Sequence, residues 1–204
     1  MNSICIIPAR GGSQRIPGKN IREFHGKPII AYSIEVANRS GLFDFGNVWV
    51  STDSREIASI AKEYGAHYMM RDAELALDFV GTQEVMVDAL QTIRKTMKYQ
   101  LESFPEYACC IYATAPMLTT QDLHRGLKLL KSSRSLDYAF SVGTEPLHDA
   151  GMFYWGKTEA FLTGAPLVSE RSIMVPISSD RVCDINTEED FLRAERMYLA
   201  LRGK

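Results

Sequence analysis

The sequence predicts an α/β fold with an open, mostly parallel β-sheet covered by helices on both faces. Residues 4–8 form a nearly continuous apolar run, as expected for a strand that is buried on both sides. Similar runs then alternate with amphipathic helical patterns along most of the chain, which is typical of parallel strands joined by helical crossovers. A loop rich in glycine and cations follows the first run, at the edge where open α/β sheets bind ligands.

The order of strands and helices follows from these apolar runs and from the residues that start helices. Pro28 suits a first helical position, and Asp53 stands three residues before Glu56, as in a capping box. Thr187 and Asp190 form the same pattern near the end of the sequence. We therefore predict strands at residues 4–8, 48–51, 67–70, 108–112, 138–142 and 182–185, and helices at residues 28–41, 53–65, 82–98, 120–131 and 187–201.

A sequence of 204 residues has the size of one α/β domain, so residues 1–204 are expected to form a single domain with one core. The regular alternation stops between about residues 144 and 179, where glycines separate aromatic, strand-like pieces such as residues 152–155. We interpret this stretch as a small aromatic insertion. Such insertions commonly form a substrate wall or a subunit contact, and we predict one of these roles here.

The composition limits the classes of partner. Lys and Arg number 23 and Asp and Glu number 25, so the net charge is −2 and no global basic field exists to hold nucleic acid. The four cysteines show no C-x-x-C spacing and indicate neither a zinc site nor a disulfide framework. The N-terminus lacks a signal-peptide pattern, and no apolar run approaches the roughly 18 residues of a membrane span. We expect a cytoplasmic enzyme that binds neither nucleic acid nor membrane.

The loop after the first predicted strand reads IIPARGGSQRIPGKN, residues 6–20, and concentrates backbone donors and cations. Gly11 and Gly12 can take backbone angles that other residues rarely adopt, so their peptide N–H groups can point at an anion. Arg10, Arg15 and Lys19 supply positive charge. The loop is therefore predicted to bind phosphate.

Two better-known phosphate loops do not match this one. A P-loop requires G-x-x-x-x-G-K-[ST], but five residues separate Gly12 from Gly18, and Asn20 follows Lys19. A dinucleotide-binding loop requires G-x-G-x-x-G at the start of a helix, but Pro17 interrupts any helix that begins here. The sequence therefore indicates neither a Walker-type NTPase nor a nicotinamide-dependent oxidoreductase.

Five segments carry a resemblance to a known family: ARGGSQRIPGKN, VSTDS, RDAELALD, YATAP and DINTEEDF. Together they span nearly the whole sequence and resemble the cytidylyltransferases that activate nine-carbon acidic sugars, the acylneuraminate and pseudaminic acid group. The segment DAGMFYW, residues 149–155, looks more like the pseudaminic acid branch. The resemblance implies a Rossmann-like nucleotidyltransferase fold, CTP as nucleotide, Mg²⁺ as cofactor and a homodimer. It also implies transfer of CMP to the anomeric hydroxyl of a nonulosonic acid, here pseudaminic acid, with release of pyrophosphate.

The same resemblance implies the residues of each part of the site. The phosphate motif and the cytosine pocket assign nucleotide binding to Arg10, Gly11, Gly12, Ser13, Lys19, Asn20, Arg71 and Thr82. A turn and the aromatic segment assign sugar binding to Thr114, Asp149 and Tyr154. Catalysis is assigned to Arg10, Lys19 and Asp184, and the metal to Asp184 and Asn186. Because a triphosphate carries about four negative charges, cations that neutralise it and its leaving pyrophosphate suit this reaction.

The expected metal site departs from the family pattern. Relatives carry two aspartates in D-I-D, whereas Asn186 stands at the second position here. Alternate strand residues point to the same face, so the Asp184 carboxylate and the Asn186 carbonyl oxygen can still hold Mg²⁺, with water and phosphates as further ligands. We expect weaker metal affinity, because one protein charge is lost. In the first loop, Gln14 replaces a lysine that is frequent in sialic acid relatives, and Arg15 can supply that charge.

Two alternatives stay open on the sequence alone. The same reaction could use N-acetylneuraminic or legionaminic acid, because the choice of sugar rests on the family resemblance. Alternatively, the protein is a nucleotide-binding paralogue without catalysis, which the missing aspartate at Asn186 motivates. Pyrophosphate release from CTP with each purified sugar discriminates between these readings.

Overall fold

A computed structural model of the protein describes residues 3–44, 46–77, 79–97 and 104–203. The predicted helix end at residue 98 and Asp78, the last residue of RDAELALD, lie outside the described residues. The strands are β1 (Ser3–Pro8), β2 (Glu23–Phe24), β3 (Lys27–Pro28), β4 (Val48–Thr52), β5 (His67–Met70), β6 (Tyr107–Ile111), β7 (Tyr138–Thr144), β8 (Leu147–Lys157) and β9 (Ser172–Ile177). The helices are α1 (Ile29–Arg39), α2 (Arg55–Glu63), α3 (Thr82–Met97), α4 (Thr120–Leu130), α5 (Thr158–Leu162) and α6 (Glu188–Arg202).

Seven strands form one sheet in the order β5-β4-β1-β6-β8-β7-β9. β1 pairs in parallel with β4 on one side and with β6 on the other, and β4 pairs in parallel with β5. β8 lies antiparallel between β6 and β7, and β9 is parallel to β7. The predicted open, mostly parallel sheet is confirmed, and β8 is the one antiparallel strand of these seven.

Helices cover both faces of this sheet, as predicted. Cys5 and Ile7 of β1 belong to the same packed layer as residues of α1, α2, α4 and α6. Ile4 and Ile6 belong to the opposite layer, with residues of α3 and α5. The apolar run of β1 is continuous because both of its faces lie against helices. None of the described helices is long and apolar enough to cross a membrane.

The stretch predicted to be an irregular aromatic insertion instead supplies two strands to the sheet. Residues 147–157 form β8 and residues 172–177 form β9. Phe153 and Trp155 are fully buried in the layer that contains α4, and Tyr154 is buried in the opposite layer. Gly126 of α4 permits this packing, since a Cβ atom there would lie only 2.7 Å from Cδ1 of Trp155. These aromatic side chains therefore serve the core of the protein.

The predicted strand at residues 182–185 is wrong. This stretch pairs with no strand, because β9 occupies the sheet edge beside β7. Cys183 and Ile185 are nevertheless buried in the layer that contains α6, so alternating burial produces a strand-like pattern without backbone pairing. The predicted capping box of α6 is confirmed: Thr187 Oγ1 accepts the Asp190 N–H at 3.2 Å, and Asp190 Oδ2 accepts the Thr187 N–H at 2.9 Å.

A buried ion pair ties the stretch before α6 to the start of α4. Asp122 is 3% exposed and accepts a hydrogen bond from Arg181, with Nη2 to Oδ1 at 3.0 Å. Asp122 also completes the capping box of α4 with Thr119. Burial alone would raise the pKa of Asp122, but the hydrogen bonds from Arg181 and Thr119 outweigh it and hold the pKa below its usual value.

Removal of the Asp122 carboxylate leaves the guanidinium of Arg181 without its buried partner. We expect Asp122→Ala to lower the free energy of unfolding by about 3 kcal/mol at neutral pH, as measured by urea denaturation. The pKa of Asp122 is lower in the folded protein than in the unfolded chain. The stability that Asp122 contributes is therefore fully present above the unfolded pKa of about 3.9, and it is lost as the pH falls through the folded pKa.

The control for this prediction is Glu188→Gln, which breaks the exposed pair between Glu188 and Arg22. Exposed pairs contribute little, so this variant should unfold almost like the unaltered protein. Equal destabilisation by the two substitutions would contradict the importance of the buried pair.

Candidate active site

The segments that follow the carboxyl ends of β1, β5 and β6 meet at a cavity of about 230 Å³. Because neighbouring parallel strands end at the same edge of the sheet, the segments that follow these strands converge there. The predicted site residues that line the cavity are Arg10, Lys19, Asn20, Arg71, Thr82 and Thr114. The loop after β5 adds an apolar wall made by Leu75, Leu77 and Val80.

A smaller cavity of about 180 Å³ lies on the first loop. Polar side chains line it, namely Arg10, Ser13, Gln14, Arg15 and Lys19. Arg10 and Lys19 line both cavities, so the two cavities meet at these cations. An extended anion could therefore run from one cavity into the other without losing contact with positive charge.

Hydrogen bonds hold the first loop against distant parts of the chain. Asn20 Nδ2 donates to the carbonyl oxygen of Arg10 at 2.9 Å, which closes the loop on itself. Lys19 Nζ donates to the carbonyl oxygen of Ile185 at 2.6 Å, which joins the loop to the stretch before α6. Burial lowers the pKa of Lys19, and the nearby Asp184 carboxylate opposes this shift. Lys19 is thus a partly desolvated cation beside the expected metal residues.

The prediction that Gly11 and Gly12 both take backbone angles that other residues rarely adopt is wrong. Neither Gly11 nor Gly12 has a positive φ, whereas Gly18 does, with a φ of 63°. Gly11 is needed for close approach, since a Cβ atom there would lie 3.0 Å from Cβ of Ser54. Its N–H donates to Asp53 Oδ1 at 2.8 Å, so this donor faces a carboxylate of the protein.

Asp53 also departs from its expected role as a helix cap. Ser54 is the N-cap of α2, and its Oγ accepts the N–H of Ile57 at 3.4 Å. The N-cap therefore lies one residue later than the sequence pattern predicts. This shift leaves the Asp53 carboxylate available to the first loop.

Arg71 is the buried cation of the site. It is 8% exposed, and its Nε has no hydrogen-bond partner within the part of the chain that the structure describes. Burial lowers the pKa of Arg71, an effect that Asp53 opposes and Arg10 reinforces. A buried donor without a partner costs free energy, so an acceptor on a ligand in the cavity suits this position.

Tyr112 is a site residue that the sequence reasoning missed. It follows β6, lines the larger cavity, and its hydroxyl lies 2.5 Å from Oγ1 of Thr82. Its ring meets that of Tyr154 edge to face, with centroids 6.1 Å apart. Burial raises the pKa of Tyr112, so it stays a neutral hydrogen-bonding group at physiological pH. The signal was present, because Tyr112 is the first residue of the segment YATAP.

Asp149 and Tyr154, the predicted sugar contacts, are joined to each other and do not line either cavity. The Tyr154 hydroxyl donates to Asp149 Oδ2, and the Gly151 N–H donates to Asp149 Oδ1 at 2.9 Å. Desolvation raises the pKa of Asp149, the Gly151 bond opposes this, and Asp184 reinforces it. The ring contact with Tyr112 connects this pair to the cavity wall.

Asp184 and Asn186 lie side by side at the end of the irregular stretch before α6. Asn186 Nδ2 donates to Asp184 Oδ2 at 2.5 Å, and the Asp184 side chain is exposed. The described residues contain no cluster of three or more His, Cys, Asp and Glu that could hold a metal ion. One carboxylate and one amide oxygen still fit a hard cation such as Mg²⁺, which commonly completes its shell with water and phosphate oxygens.

The site thus combines a small cavity lined by cations, a larger cavity with a buried arginine, and the neighbouring side chains of Asp184 and Asn186. At the carboxyl edge of a mostly parallel sheet, this combination suits a nucleotidyltransferase. The comparisons with known proteins agree: a family model described as cytidylyltransferase matches residues 4–151. The protein therefore belongs to the cytidylyltransferase family and is an enzyme.

The most similar curated proteins include enzymes for acidic sugars. The sequence is 34% identical to the pseudaminic acid cytidylyltransferase of Campylobacter jejuni serotype O:2, with 97% of each chain covered. It is 27% identical to the N-acylneuraminate cytidylyltransferase of Streptococcus agalactiae serotype III, across 94% of this chain and 52% of that protein. The resemblance to this family is confirmed.

The solved structures include one of a CMP:2-keto-3-deoxy-manno-octonic acid synthetase complexed with CTP. Its TM-score is 0.74, with 98% of this chain and 100% of that chain covered at 15% identity. At this identity the similarity establishes the fold, and it confirms the nucleotidyltransferase architecture.

Proposed function

We propose that the enzyme transfers CMP from CTP to the anomeric hydroxyl of pseudaminic acid and releases pyrophosphate. The observation that carries this proposal is that Arg10 and Lys19 line both cavities. A triphosphate that extends from the larger cavity into the smaller one would contact both cations along its length. The similarity over 97% of the length to a pseudaminic acid cytidylyltransferase supports the choice of sugar.

In this proposal the first loop stabilises the charge that moves during the reaction. The sugar hydroxyl loses its proton to water and attacks the α-phosphorus, so that a new O–P bond forms. The bond between the α-phosphorus and the oxygen that bridges to the β-phosphate breaks, with its electron pair on the leaving pyrophosphate. Lys19 and Arg10 neutralise the phosphates, and Ser13, Gln14 and Arg15 line the cavity that suits the leaving group. Partial burial makes the charges of Arg10 and Lys19 more effective than they would be in water.

The larger cavity is proposed to bind the nucleoside. The Arg71 Nε, which has no hydrogen-bond partner among the described residues, can donate to the base or the ribose, and Thr82 and Tyr112 offer hydroxyl groups to the same space. The apolar wall of Leu75, Leu77 and Val80 suits the flat face of a base. The sugar is proposed to contact Thr114, Asp149 and Tyr154.

Asp184 and the Asn186 carbonyl oxygen would hold Mg²⁺ in this proposal. A bound Mg²⁺ supplies electrostatic stabilisation of phosphate charge and can lower the pKa of a hydroxyl group near it. Lys19 lies next to this pair through its hydrogen bond to Ile185, so loop and metal residues act on neighbouring parts of the same ligand.

The test measures pyrophosphate release from CTP and Mg²⁺ with purified pseudaminic, N-acetylneuraminic and legionaminic acids. We expect the highest kcat/KM with pseudaminic acid and loss of turnover on chelation of Mg²⁺, restored by added Mg²⁺. Turnover with N-acetylneuraminic acid alone would contradict the assigned sugar. CTP binding without turnover on any sugar would contradict the proposed reaction.

The Asn186 position provides a test of the metal site. Asn186→Asp restores a second carboxylate, so we expect the Mg²⁺ concentration for half-maximal activity to fall by about tenfold, an effect of one added charge on a hard cation. Asp184→Asn should raise that concentration. The control is Asp180→Asn, which removes a nearby exposed carboxylate outside the pair. A response of Asp180→Asn equal to that of Asp184→Asn would refute the assignment.

A single domain and a homodimer complete the proposal, with residues 144–179 as the subunit contact. Exposed apolar side chains in this stretch, such as Leu147, Val168 and Met174, support a protein partner there. Light scattering should give a mass of two chains, and a monomer at micromolar concentration would rule the dimer out. We further propose that the enzyme acts in the cytoplasm.

A further inference from the structure

Asp53 is a carboxylate at the edge of the site to which the proposed function gives no role. It directly follows β4, in the segment VSTDS. Its Oδ1 accepts the N–H of Gly11 at 2.8 Å, across 42 residues of the chain. Asp53 therefore joins the first loop to the end of the neighbouring strand.

The backbone around Asp53 is held from both sides. Thr52 Oγ1 accepts the N–H of Ser54 at 3.1 Å, and Ser54 then caps α2. The carbonyl oxygen of Thr52 accepts the N–H of Arg71 at 2.9 Å. The Asp53 carboxylate is thus presented to the loop by a turn fixed between a strand and a helix.

The charge of Asp53 works against a triphosphate. A carboxylate near the proposed phosphate site repels an anion of about four charges, even where solvent screens the interaction. Asp53 favours the charged form of Arg71, but Arg71 keeps its proton at physiological pH in any case. Among the described residues, the remaining contact that explains a carboxylate at this position is its hydrogen bond with the Gly11 N–H.

We propose that Asp53 is a positioning residue that holds the first loop in the conformation that binds phosphate. This inference rests on the proposed function. The hydrogen bond fixes Gly11 between Arg10 and Ser13, which line the smaller cavity. A loop held in place before the ligand arrives loses less conformational entropy on binding.

For triphosphate binding, the proposal predicts the opposite result from charge repulsion alone when Asp53 is removed. If Asp53 only repelled the ligand, its removal would strengthen triphosphate binding. If it holds the loop, Asp53→Ala weakens binding, whereas Asp53→Asn keeps an acceptor for the Gly11 N–H and restores it. The direction of the change and the rescue by asparagine together separate the two roles.

The experiment is calorimetric titration of the full chain with CTP and, separately, with inorganic tripolyphosphate. For Asp53→Ala we expect about tenfold weaker binding of both ligands, the size of effect that one charge-assisted hydrogen bond produces. Asp53→Asn should bind both within about threefold of the unaltered protein. Asp72→Ala is the matched control, because it removes an exposed carboxylate next to Arg71 that makes no bond to the loop.

Kinetics add a second measurement, in which Asp53→Ala raises the KM for CTP with a smaller change in kcat. Gly11→Ala disturbs the same contact from the loop side, since the new Cβ would lie 3.0 Å from Cβ of Ser54, and we expect weaker binding here too. If Asp53→Ala fails to fold, the affinity of Gly11→Ala for the two ligands tests whether this contact supports phosphate binding.

Unchanged or tighter binding by Asp53→Ala would overturn the inference. So would a loss confined to CTP, which would mean that Asp53 acts through the nucleoside cavity, or a loss in Asp53→Asn equal to that in Asp53→Ala. If the unaltered protein bound tripolyphosphate but not CTP, the proposed function would fail while the role of Asp53 could still be measured.

Discussion

The parallel pairing of β1 with β4 and β6 is the constraint on which the site depends. It brings the first loop, the Asp53 turn and Tyr112 to one edge of the sheet, although they come from distant parts of the sequence. The pairing is stable because β1 is buried on both faces, with Cys5 and Ile7 in one layer and Ile4 and Ile6 in the other.

The protein concentrates positive charge locally while its net charge is −2. Burial of Arg71 and Lys19 disfavours their charged forms and lowers their pKa values, and in each case a nearby carboxylate opposes part of this shift. Asp184 does so for Lys19 and Asp53 for Arg71. The site therefore holds two partly desolvated cations, each with a carboxylate nearby.

Side-chain contacts link the larger cavity to Asp149 and Tyr154, which do not line it. Tyr112 contacts Thr82 through its hydroxyl and Tyr154 through its ring, and Tyr154 in turn donates to Asp149. On the other side, Lys19 is bonded to the carbonyl oxygen of Ile185, between Asp184 and Asn186. The short stretch before α6 lacks strand pairing, and the Lys19 bond together with the buried Cys183 and Ile185 holds it against the loop.

Local patterns in the sequence determined much of this protein: the buried strand β1, the cation-rich loop after it, the capping box at Thr187 and the family to which the protein belongs. These features depend on residues close together in sequence, where periodicity and capping chemistry act directly. Only the tertiary structure decided that residues 147–157 enter the sheet, that residues 182–185 do not, and that Gly11 meets Asp53. These outcomes depend on which segment occupies each sheet edge and on contacts across tens of residues, which no local pattern encodes.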